Sequence, residues 1–116
     1  KEYRRQRQMC IRDRSQALHQ GTEWLPALDH FTDAGPLWAR ETTAAIQSGV
    51  LRGLAAAIVA AFQDRPEPQW PWQLWLTGGD AAALSPLLQA TGLQPHNNEC
   101  LALVALAALS QPGRDL

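Results

Sequence analysis

The stretch from Glu41 to Asp80 constrains the fold of this chain more than any other. Within it, Thr42, Ile46, Val50, Leu54, Ile58 and Phe62 recur every four residues, and Ala45, Gly49, Gly53, Ala57 and Ala61 form a parallel row of small residues. Rows at that spacing lie along one side of an α-helix. The large row is expected to fill a core. The small row is expected to let another backbone come close, at about 1 kcal/mol for each interior glycine. A membrane span is the competing reading, because the run is apolar nearly all round. Gln47, Ser48 and Arg52 interrupt it and Ala and Gly supply much of it, so the expectation is a buried helix of an α/β protein. Glu41 is well placed against the helix dipole, Thr42 or Thr43 sits near the start, and the helix must end by Gln63-Asp64, because Arg65 precedes Pro66.

Beyond a short polar connection, Trp72, Leu74 and Leu76 alternate with Gln73, Trp75 and Thr77, which predicts a strand buried on both faces. Gly78-Gly79-Asp80 closes it. A strand that ends in paired glycines and feeds a helix is a common way to bring backbone N–H groups up to a ligand. Asp80 is placed to cap a helix over 81–90, with Pro86 splitting it, Ser85 as a second cap and Gly92 as the stop. Residues 93–98 read as a loop. A last helix over 99–110, capped by Asn97 or Asn98, would turn Leu101, Val104, Ala105, Ala108 and Leu109 inward. One clear strand cannot satisfy its own backbone, so a partner strand is required; residues 28–33 are a weak candidate within the chain. Trp70, Trp72 and Trp75 are expected in core and edge packing; a base-stacking platform would need positive charge that this region lacks.

Of 116 residues, 46% are hydrophobic and the net charge is −1, enough for one small domain or part of a larger one. The first fourteen residues hold six basic side chains against two acidic, and the remainder four against nine. Such an arm is a candidate contact for nucleic acid or membrane. However, KEYRRQRQMCIRDR lacks periodicity and a starting Met, and it resembles the conceptual translation of sequencing-adapter read-through. Residues 1–14 are therefore set aside as an artefactual or disordered arm, 15–111 are taken as the folded part and 112–116 as a tail. On this expectation the natural gene product is longer. From Ser15 a helix end (Ala17, Leu18) gives way to breakers at Gly21, Pro26 and Gly35-Pro36.

The pattern T-x-x-A-I-x-x-G (Thr42, Ala45, Ile46, Gly49), followed by the small-residue helix and then L-x-L-T-G-G-D-A from Leu74 to Ala81, resembles the C-terminal half of type III pantothenate kinase. Gly21-Thr22, Leu25-Pro26 and the helix from Leu101 to Leu109 fit the same resemblance, which covers about residues 16–110. Each motif alone is weak; the two in this order and spacing are more specific. The resemblance implies an α/β fragment of the second ribonuclease-H-like domain of an actin-like ATPase, helix-rich with one clear strand. It implies a cytoplasmic homodimer that moves the γ-phosphoryl of ATP onto the primary hydroxyl of pantothenate, the first step toward coenzyme A, using Mg²⁺ and a monovalent cation (K⁺ or NH₄⁺). Thr42 matches the Thr that touches pantothenate, although it could instead satisfy a backbone N–H at the helix start. Gly78 and Gly79 match the turn near the nucleotide, where they could also serve as a tight turn alone. The catalytic Asp, the phosphate turn and the cation-binding Asp of the family lie in its first half. Asp80 is therefore not a catalytic base, and the chain alone is expected to be inactive. Glu41 stands where the family often has an uncharged polar residue, and puts negative charge near an anionic substrate.

Other chemistry is not indicated. His19, His30 and His96 lack metal-ligand spacing, Cys10 and Cys100 suggest neither a disulfide nor a metal site, and no Walker loop, nucleophile elbow or zincin motif is present. No nucleic-acid or membrane partner is expected. Two readings of other classes remain: a non-catalytic transcriptional accessory factor of the same family, and a helical fragment whose small-residue row mediates dimerisation.

Overall fold

The computed structural model of the chain describes residues 10–28, 31–98 and 100–110. Four helices and two short strands follow in the order α1 (Ile11–Gly21), α2 (Thr42–Gln63), β1 (Trp75–Leu76), α3 (Ala81–Gln89), β2 (His96–Asn97) and α4 (Leu101–Leu109). The result is a helix-rich α/β arrangement with a two-stranded parallel sheet.

Helix α1 begins earlier than the boundary at Ser15 anticipates. Cys10 caps it, its Sγ accepting from the Asp13 N–H at 3.4 Å. Ile11 and Ser15 lie one turn apart on one face and are both buried, so the apolar side chain of Ile11 draws residues 11–14 into the fold despite their charged neighbours. Residues 1–9 and 111–116, which contain the rest of the expected arm and the expected tail, lie outside the described residues. Ser15 Oγ donates to Leu28 O (3.1 Å) and accepts from Leu28 N–H (3.3 Å), while His19 Nδ1 donates to Leu25 O (2.7 Å). These bonds strap residues 25–28 to α1 and hold Leu25 and Leu28 against the core.

Helix α2 has the extent the spacing predicts and packs against both α1 and α3. Ile46, Val50 and Leu54 of the large row are buried, joined by Ser48, Leu51 and Ala55; Ile58 and Phe62 are half-buried and Thr42 is exposed. The small row departs from expectation. Ala45, Gly49 and Gly53 face outward, and a Cβ added at either glycine would meet nothing within 4 Å. A four-residue step turns about 40° beyond a full turn at 3.6 residues per turn. The row therefore starts opposite the buried arc and reaches its edge only at half-buried Ala57. By length and composition α2 could cross a membrane, but its buried residues form the centre of the core cluster.

The segment before α2 is clamped to it. Gln47 Nε2 donates to Asp33 O, Arg52 Nη2 donates to Gly35 O at 2.6 Å, and Arg52 Nε donates to Ser48 Oγ at 3.0 Å. Gly35 takes a left-handed conformation (φ 59°) and its N–H donates to Asp33 Oδ1 at 2.8 Å, turning the chain so that Ala34 is buried.

The strand expected over 72–77 shrinks to Trp75–Leu76, because its only neighbour among the described residues is equally short. That neighbour, His96–Asn97, was expected as loop. It pairs in parallel, Trp75 opposite His96 and Leu76 opposite Asn97, with His96 N–H donating to Leu74 O (2.8 Å) and Asn98 N–H to Leu76 O (2.9 Å). Parallel strands need a crossover, and α3 supplies it. Leu28 and residues 31–33 form no strand, and residues 29–30 lie outside the described residues. The tryptophans are not core: Trp70, Trp72 and Trp75 are all exposed, and Trp75 stacks on His96 across the pair at 4.7 Å between ring centroids.

Helix α3 runs through Pro86 without splitting. Ser85 is not a second cap; it is buried, and its Oγ accepts from Gln89 Nε2 (3.3 Å) and Asn97 Nδ2 (3.1 Å), which ties α3 to β2. The helix ends as expected at Gly92 (φ 90°). Gly92 N–H donates to Gln89 O and Leu93 N–H to Leu88 O, the paired bonds of a Schellman closure, while Leu93 packs on the core beside fully buried Leu88. Helix α4 contradicts its predicted inward face: no residue of it is buried, and Leu103, Val104, Leu106 and Leu109 are more than half exposed. The cause is the lack of any element among the described residues to receive it. Its expected first residue, Glu99, lies outside them; Asn98 Oδ1 accepts from Cys100 N–H at 3.0 Å.

Candidate functional site

The outward rotation of the small row opens a groove beside α2. Ala45, Ile46, Gly49 and Val50 form one wall and Ala17, Leu18 and Leu25 the other, around a cavity of about 770 Å³. The straps from Ser15 and His19 hold the second wall in place. Where α2 begins stand Arg40, Glu41 and Thr42, and Arg14 of α1 also lines the groove. An apolar trough with polar groups where α2 begins suits a small amphiphilic molecule.

Thr42 is the first residue of α2 and exposed. The N-cap position belongs to Glu41, whose side chain makes no capping bond while its carbonyl accepts from Ala45 N–H at 2.8 Å. The helix start is thus built by backbone, and the Thr42 hydroxyl is not consumed in capping it. The first-turn N–H groups of a long helix add partial positive charge at the same end of the groove.

The glycine turn is a separate feature, since neither Gly78 nor Gly79 lines the Thr42 groove. Gly78 is left-handed (φ 89°), a conformation that costs a residue with a Cβ. Neither glycine would place a Cβ within 4 Å of anything, so the turn stands open to an approaching group. Asp80 follows as N-cap of α3. Its carbonyl accepts from Ala83 and Leu84, but its side chain makes no capping bond, contrary to expectation. Among the described residues no group of three or more His, Cys, Asp or Glu could hold a metal ion.

Of the residues singled out from the sequence, Thr42 lines the groove and Gly78 and Gly79 do not; Arg40 and the α1 wall, which also line it, were not anticipated. The available signal was the outward drift of Ala45 and Gly49, which leaves space beside the start of α2.

The fold and groove define a helix-rich α/β segment built around one apolar helix, with a ligand-sized trough at that helix's first turn. Its sequence is similar to type III pantothenate kinases. It is 47% identical over 73 residues to the one from Alkalilimnicola ehrlichii, covering 62% of this chain and 28% of that protein. It is 38% identical over 74 residues to that of Synechococcus elongatus, and 37% identical over 101 residues to that of Synechococcus sp. strain JA-3-3Ab, the latter match covering 84% of this chain and 41% of the relative. The chain thus spans well under half the length of the curated relatives it matches. No family profile and no solved structure matches it.

Proposed function

We propose that this chain is the C-terminal part of a type III pantothenate kinase, which transfers the γ-phosphoryl of ATP to the primary hydroxyl of pantothenate at the start of coenzyme A synthesis. The observation that carries this reading is the placement of Thr42, the residue matched to the family's substrate-touching Thr, on the rim of a substrate-sized groove with its hydroxyl not spent on the helix cap. The similarity to relatives bearing that name supports it.

In this reading Thr42 hydrogen-bonds pantothenate, and the open Gly78-Gly79 turn lies against ATP. When bound, Mg²⁺ and a monovalent cation would neutralise phosphate charge, and in this reading their ligands and the catalytic Asp lie in the first half of the enzyme. The domain is of the ribonuclease-H-like, actin-like ATPase kind, and the enzyme works as a cytoplasmic homodimer.

Thr42→Ala in the complete enzyme tests the reading. The KM for pantothenate is expected to rise about tenfold, as for loss of one substrate hydrogen bond, with the KM for ATP little changed. Equal effects on both substrates would refute the assignment of Thr42 to pantothenate.

A further inference from the structure

We propose that Arg40 is a substrate-binding residue of this site, pairing with the carboxylate of pantothenate at the mouth of the groove. The proposal rests on the pantothenate reading above and deepens it by fixing which end of the substrate lies at the start of α2. Three observations carry it.

The groove is polar where α2 begins. Its walls are largely apolar residues of α1, α2 and the strapped segment at Leu25, and Arg40 and Glu41 adjoin Thr42 where α2 begins. A ligand with one ionised end and a less polar body can therefore enter in one orientation, with its charge at that mouth.

The local charge favours an anion there. Arg40 stands next to Glu41 on this rim, and the first turn of a 22-residue helix adds its partial positive charge. Glu41 offsets Arg40 in formal charge, and the helix end leaves the mouth net positive. A monocarboxylate therefore suits the mouth better than a dicarboxylate or a cation.

Arg40 is the guanidinium available for the task. It is exposed and forms no hydrogen bond or ion pair among the described residues, whereas Arg14 is engaged in a contact of its own. Its planar fork matches a carboxylate bidentately, which a single hydroxyl such as Thr42 cannot do. Only Glu41 separates Arg40 from Thr42, and both line the groove, so a guanidinium and a hydroxyl border the same opening. With the carboxylate held here, the primary hydroxyl at the far end of pantothenate is directed away from the start of α2.

The test is Arg40→Gln in the complete enzyme, assayed with pantothenate and with pantothenol, in which the carboxylate is replaced by a neutral CH₂OH. For the variant, the KM for pantothenate is expected to rise at least about tenfold, the loss of one charge-assisted pair, with kcat and the KM for ATP unchanged. The KM for pantothenol should be the same in variant and wild type, and Arg40→Lys should recover part of the loss with pantothenate. Equal shifts for both substrates, or no shift for either, would overturn the role of Arg40 while leaving the kinase reading intact. If the wild-type enzyme phosphorylates neither compound, the kinase reading itself falls, and this assignment with it. Unchanged melting of Arg40→Gln is the control that separates binding from folding.

Discussion

Helices α2 and α4 are both rich in Leu, Val and Ala, yet one forms the centre of the core and the other buries nothing. The difference lies in their neighbours. Helix α2 is met by α1 on one flank and α3 on the other, and the loop over 33–35 is bonded to it through Gln47 and Arg52. Helix α4 follows β2 after a short turn and projects Leu103, Val104, Leu106 and Leu109 with nothing against them among the described residues. Apolar composition states a need for burial; only an opposing surface satisfies it.

The comparison can be broken by truncating equivalent side chains. Leu51, fully buried in α2, should cost about 2–5 kcal/mol on replacement by Ala, measured by urea unfolding of this chain, because both transfer energy and a cavity are lost. A cost below about 1 kcal/mol would mean that α2 is not the core. Gly92→Ala, which forces a Cβ into the left-handed closure of α3, should cost about 1–2 kcal/mol in the same measurement. No loss there would place the closure of α3 outside the cooperative fold. Leu106→Ala in α4 should change stability by no more than about 0.5 kcal/mol, as for an exposed side chain. A larger loss would mean that α4 is packed in solution and that the contrast with α2 is false.

What the sequence made legible follows the same division. The extent of α2 could be read to within about a residue at each end, because Glu41 and Pro66 bound a periodic run; the stop at Gly92 was readable because few residues other than glycine adopt that backbone conformation. Features that depend on a distant partner were not readable. His96-Asn97 has no strand character of its own and becomes a strand because Leu74 and Leu76 offer carbonyls to the amides of His96 and Asn98. Trp75 looked buried by alternation, but a two-stranded sheet leaves its ring exposed and stacked on His96. Ser85 looked like a helix cap and is instead a buried acceptor for Asn97. At the site, Thr42 was legible from its motif. Arg40 was not, since its proposed role depends on a groove that exists only once α1 lies beside α2.

The parallel pairing of Trp75–Leu76 with His96–Asn97 has a consequence for how this segment assembles. Neither strand can find the other by a tight hairpin, so the chain between them must first be shortened into α3 and laid on α2. The amide of Asn97's side chain then latches onto Ser85 of that helix. The sheet and the docking of α3 on α2 therefore support one another, and the backbone leading into the glycine turn takes its direction from both.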